Sequence, residues 1–143
     1  MNFVFNKEDI EKIESVLGER SQRVENSYSW RLSNKNNLQS LSFTIFNEVQ
    51  LCDDAKGVLI SVQTNHGYFE LHNCTNYIIF EPDEVIFINQ TAELLSSLII
   101  GKNSTCSLFS NINKQILKGN LSDLDPAVLL AAMQLSLTES IFV

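Results

Sequence analysis

Glycine and proline are scarce in this chain, at five and two of 143 residues. Gly18, Gly57, Gly67, Gly101 and Gly119 lie far apart, so neither GxGxxG nor GxxxxGK[ST] occurs. Without such a turn, backbone N–H groups do not converge on a nucleotide phosphate, and nucleotide-dependent chemistry is not expected. Cysteine is sparse too: Cys52, Cys74 and Cys106 are odd in number and widely spaced, which is no disulfide framework. No CxxC pair or HExxH helix is present to mark a metal site, and no cofactor is expected. Basic residues are the minority, with 10 Lys+Arg against 17 Asp+Glu and a net charge of -7. That balance disfavours nucleic acid and anionic membrane as partners. The longest apolar stretches, Leu94–Ile100 and Ala127–Met133, fall short of the roughly 20 residues a membrane helix needs. Residues 1–9 lack a charged stretch leading into an apolar run, so the expected compartment is the cytoplasm.

Apolar residues are well supplied, at 44% with nine Phe, which excludes a disordered chain. A chain of this length reads as one domain that removes about two-thirds of its unfolded surface from water. Asn6 is a good N-cap, and Ile10, Ile13, Val16 and Leu17 recur at helical spacing before Gly18, predicting a helix over 7–18. The period then changes to two. Val24, Tyr28, Trp30 and Leu32 share one parity, Leu41, Phe43 and Ile45 the next, and Val58, Ile60 and Val62 another. Asn65-His66-Gly67 reads as a hairpin loop into Tyr68–His72, and Pro82-Asp83 as a turn between Tyr77–Glu81 and Glu84–Asn89.

Beyond residue 90 the spacing again suits helices: Thr91–Ile100 stopped by Gly101, Asn113–Lys118 stopped by Gly119, and a C-terminal helix with Asp125 as cap and Pro126 at its first position. Cys106–Phe109 reads as a short extra strand. The connections between strands are too short for parallel crossovers. The expected fold is therefore a single α+β domain: an N-terminal helix, a mainly antiparallel five- to six-stranded sheet, and C-terminal helices packed on one face.

Candidate chemistry is thin. His72 and Cys74, two residues apart, would face one side of a strand and with His66 or Cys52 could hold a metal, but solvated histidines are the more ordinary reading. Tyr68, Glu70 and His72 share parity and with Cys74 would line a pocket in a small enzyme or ligand-binding domain. The alternative reading rests on charge. No Lys or Arg occurs between Lys56 and Lys102, whereas Glu70, Glu81, Asp83, Glu84 and Glu93 fall in that window and Asp53 and Asp54 just before it. Seven such carboxylates attract a basic protein and accelerate its association.

The segment from Asp125 to Glu139 resembles a ubiquitin-interacting motif. Leu129, Ala132, Met133, Ser136 and Glu139 follow its apolar-x-x-Ala-apolar-x-x-Ser-x-x-acidic spacing, with Asp125-Pro126-Ala127-Val128 where that family has an acidic run. The resemblance implies a helix whose small Ala lets it approach ubiquitin's hydrophobic patch while the Ser meets its backbone. A helix this apolar also suits a homodimer interface through residues 126–139. In size, acidity and lack of catalytic signatures the chain looks like an immunity protein of a bacterial toxin system, or a small secretion chaperone. The leading expectation is a non-catalytic module that docks on a basic protein through Asp53, Asp54, Glu70, Glu81, Asp83 and Glu84.

Overall fold

The first helix forms where its cap signals place it. In this computed structural model, which describes residues 3–36, 38–52, 55–80, 82–90 and 94–113, α1 spans Lys7–Leu17. The Asp9 N–H donates to Asn6 Oδ1 and the Asn6 N–H to Asp9 Oδ2, both at 2.9 Å. Such a reciprocal cap satisfies two N–H groups that the helix leaves unpaired. Gly18 ends it in a left-handed conformation (φ 72°), donating its N–H to the Glu14 carbonyl. Ile10, Ile13 and Leu17 form the buried stripe.

Period-two alternation is then realised as two antiparallel sheets. The first contains β1 (Gln22–Val24), β2 (Ser27–Asn34), β3 (Gln39–Cys52), β4 (Ala55–Thr64) and β5 (Tyr68–His72), paired in chain order. The second contains β6 (Asn76–Phe80), β7 (Glu84–Gln90), β8 (Leu94–Gly101) and β9 (Thr105–Asn113), again in chain order. Each sheet is thus a meander of short hairpins. The chain changes sheets at residues 73–75, where the Cys74 N–H donates to the Val58 carbonyl and the Thr75 N–H to the Ile88 carbonyl.

One core joins both sheets to α1. Trp30, Phe43, Ile45, Ile60 and Val62 from the first sheet meet Val85, Phe87, Leu98 and Ile100 from the second, with Phe5, Ile13 and Leu17 in the same cluster. Trp30 stacks on Phe43 at 4.7 Å between ring centroids, and Phe43 reaches Phe87 of the other sheet at 5.9 Å. Each large apolar side chain buried this way contributes about 1.5–3 kcal/mol.

The architecture corrects the expected fold class. Among the described residues the protein is mainly β, with two sheets of five and four strands where one sheet of five or six was expected. Thr91–Ile100 does not form the first of the C-terminal helices packed on one face; its described part belongs to β8. The physical reason is burial on both faces. Leu98 and Ile100 join the shared core, while Ile86, Ile88, Ser97 and Ile99 are buried on the opposite face. A strand covered on both faces loses its alternation, and Leu94, Leu95, Leu98 and Ile99 then fall at helix-like spacing. Asn113 closes β9 and does not begin a helix, because the short strand expected at Cys106–Phe109 extends to it. Residues 114–118 and the segment from Asp125 onward lie outside the described residues. Val24 was expected on a buried face; it is 67% exposed, because the strand breaks into a hairpin at Glu25–Asn26. Among the described residues, no helix is long and apolar enough to cross a membrane.

Candidate functional site

Edge strand β5 is aimed by the turn before it. Thr64 Oγ1 accepts the N–H groups of His66 and Gly67 at 3.1 and 3.0 Å, and the Thr64 N–H donates to the Gly67 carbonyl at 2.8 Å. This fixes the register Gln63↔Tyr68, Ser61↔Glu70 and Leu59↔His72. Phe69 and Leu71 consequently pack on the core, while Tyr68, Glu70 and His72 form an outward stripe. The same face continues across β4 to β2 as the rows Ser61–Thr44–Ser29 and Gln63–Ser42–Arg31.

Within the stripe, Glu70 is the organising charge. The Tyr68 hydroxyl on one side and the His72 ring on the other hold its carboxyl below the usual range. The Tyr68 hydroxyl is pushed up in turn, because losing its proton would end its bond to Glu70 and leave two anions side by side. His72 Nε2 lies 2.6 Å from Glu70 Oε2, with the His72 side chain 65% exposed and that of Glu70 34%. Tyr68 is 55% exposed. These groups make a hydrogen-bonded, partly exposed polar stripe.

Cys74 does not join them. Asn73 takes a left-handed backbone (φ 58°) just past the end of β5, which breaks the i, i+2 relation and turns Cys74 into the core. Burial pushes its thiol up to about 12, and Cys106 is likewise raised to about 11. Neither is a thiolate nucleophile near neutrality. The pocket expected from Tyr68, Glu70, His72 and Cys74 is thus divided between an exposed stripe and the interior. Among the described residues, no group of three or more His, Cys, Asp or Glu is assembled to hold a metal ion.

The acidic window is also divided. Glu70 lies on the edge of the first sheet, whereas Asp83 and Glu84 sit at the β6–β7 turn of the second. There the Asp83 carbonyl accepts the Lys102 N–H at 2.8 Å, and Glu84 pairs with Gly101 on β8. Asp53, Asp54, Glu81 and Glu93 lie outside the described residues.

A cleft that the sequence did not reveal opens beside β5. It has a volume of about 430 Å³ and is lined by Gln39, Ser40, Thr64, Asn65, His66, Phe69 and residues 104–107. Only the Asn65-His66-Gly67 turn and the short strand at Cys106–Phe109 were legible there. No spacing in the chain links residues 40, 65 and 104; register across two sheets brings them together.

The fold and surface define a mainly β domain of two antiparallel sheets around one core, with an exposed polar face along one edge strand. Compared with protein-family models, curated proteins and solved structures, the chain has no match in any of the three.

Proposed function

We propose that this protein is a non-catalytic binding module that docks on a basic protein, with the outward stripe of β5 as part of the contact. The observation that carries this reading is the state of Glu70: held ionised, half-buried on an edge strand, and placed in a stretch of sequence with no Lys or Arg between Lys56 and Lys102. A partly exposed carboxylate of this kind adds little static affinity but raises the encounter rate with a cationic surface. Tyr68 adds a large amphipathic ring beside it, the kind of side chain that anchors protein interfaces. Asp83 and Glu84 supply a second anionic point on the other sheet.

The test is capture of the partner from the native source, followed by stopped-flow association with wild type and Glu70→Gln. Association should slow by about tenfold between low and high salt, as expected for charge-steered encounter. Glu70→Gln should slow it by roughly two- to threefold at low salt and leave the high-salt rate unchanged. A salt-independent association rate, or a captured partner with no basic surface, would overturn the reading.

A further inference from the structure

We propose that the cleft between the β4–β5 turn and the β8–β9 hairpin binds a neutral, polyhydroxylated small molecule, a sugar, independently of the protein contact described above. The first observation is chemical. Among the described residues, the cleft wall contains no Lys, Arg, Asp or Glu, and its polar groups are hydroxyl and amide side chains with one imidazole. A phosphate, carboxylate or ammonium group would find no Lys, Arg, Asp or Glu among the described lining residues to offset its lost hydration, the imidazole of His66 being the one titratable nitrogen there. A ligand rich in hydroxyl groups, each able to donate and accept, matches this wall group for group.

The second observation is preorganisation. Asn65 Oδ1 accepts from the Ser40 N–H at 3.2 Å and the Ser40 Oγ at 3.0 Å, which fixes the plane of the Asn65 amide. Thr64, with its hydroxyl bonded across the turn to Gly67, holds the loop that carries Asn65. Side chains already fixed in this way lose little freedom when a ligand arrives. Phe69 supplies an apolar patch suited to the C–H face of a sugar ring. The volume of about 430 Å³ lies within the range of small-molecule pockets.

The third observation is an unmet hydroxyl. Ser104 lines the cleft in a left-handed backbone (φ 67°), and its Oγ is buried without a hydrogen-bond partner among the described residues. Strain and an unsatisfied polar atom in one residue cost stability, and such costs concentrate where a site is held ready for a ligand. A ligand hydroxyl supplies the missing partner once the Ser104 side chain turns its Oγ toward the cleft.

Two-dimensional amide NMR of the full chain tests this with D-glucose, D-galactose, D-mannose and N-acetylglucosamine, each up to about 50 mM, which covers the roughly millimolar affinity of a ligand with few contacts. At least one sugar should give saturable shifts confined to residues 39–40, 64–69 and 104–107. Asn65→Ala, checked for a native spectrum, should weaken binding by about fivefold to tenfold as hydrogen bonds are lost. Ser107→Ala provides a second variant on the opposite wall should Asn65→Ala not fold. Glucose 6-phosphate should bind no more tightly than glucose. Absence of saturable shifts for all four sugars, shifts located elsewhere, unchanged binding by a folded wall variant, or tighter binding of the phosphate would each overturn the proposal. Because no basic protein enters the experiment, its failure leaves the protein-docking reading standing.

Discussion

Cys74 and Cys106 show how far a side chain's chemistry depends on where the strand alternation leaves it. Cys74, two residues past the end of β5, is turned inward, buried at 1% exposure, and donates its thiol to the Asn76 carbonyl. Cys106, on β9, is partly buried beside the cleft. Both thiols are raised by burial, to about 12 and about 11 respectively. A raised value keeps the thiol protonated as pH rises through the ordinary cysteine range, so the reactive thiolate emerges only at more alkaline pH. In a Cys52→Ser background, Cys106 should react with iodoacetamide at pH 8 on the order of a hundredfold more slowly than an unhindered thiol, from the thiolate fraction alone. Its rate should climb steadily up to about pH 11, where the thiol titrates. Cys74 should stay unlabelled until the protein is unfolded. Rapid labelling of either at pH 8, read by mass spectrometry, would show that burial does not control them.

At the scale of elements, the bulge in β3 holds the N-terminus in place. The β3–β4 register shifts between Phe46 and Val49, which leaves Asn47 without a partner on β4 while its N–H donates to the Asn26 carbonyl. Asn47 Oδ1 accepts the Phe5 N–H and its Nδ2 donates to the Phe5 carbonyl, both at 2.8 Å, so one side chain imitates a neighbouring strand. Phe5 is thereby seated against Tyr77 and Phe87, immediately before the cap of α1. Asn47→Ala leaves two backbone groups of Phe5 without those partners and should cost about 1–3 kcal/mol. Amide exchange at residues 5–10 should accelerate more than at β4 or β7; uniform acceleration would mean that Asn47 acts through the sheet alone. None of this was legible in the sequence. Helix α1 and the hairpins from Leu41 to Gln90 were, because caps, turn residues and alternation are local signals. The bulge was not, since its partner lies 42 residues away. Strand β8 failed for the converse reason: burial on both faces erased the pattern that identifies a strand, and left one that imitates a helix. The candidate site divided in the same way. The Tyr68–Glu70–His72 stripe follows from parity, whereas Cys74 left it because a single left-handed residue reversed its direction, and the Ser40–Asn65–Ser104 cleft depends wholly on how the hairpins meet.

At the scale of the whole molecule, the two sheets share their main core, so each loses most of its apolar interior when the other opens. Phe43 is the point where this dependence is most concentrated. It is 1% exposed, stacked on Trp30 within its own sheet and packed against Phe87 across the interface. The two sheets should therefore unfold in one transition, as small domains with a single core generally do. Trp30 is the only tryptophan and reports on the first sheet through its fluorescence; amide exchange at Phe87 and Leu98 reports on the second. In urea both probes should give the same midpoint. Phe43→Ala removes a buried aromatic and leaves a cavity on both sides of the interface, at a cost of about 3–5 kcal/mol. Both midpoints should fall together and by the same free energy, with the slope of the transition preserved. Two separated midpoints in the wild type would mean that each sheet carries its own stability. A Phe43→Ala shift confined to Trp30 fluorescence would mean the same, and the binding surface on β5 could then be studied apart from the second sheet. A single shared midpoint makes the β5 stripe and the cleft beside it properties of the intact molecule, since each depends on a first sheet packed through Phe43 against Phe87.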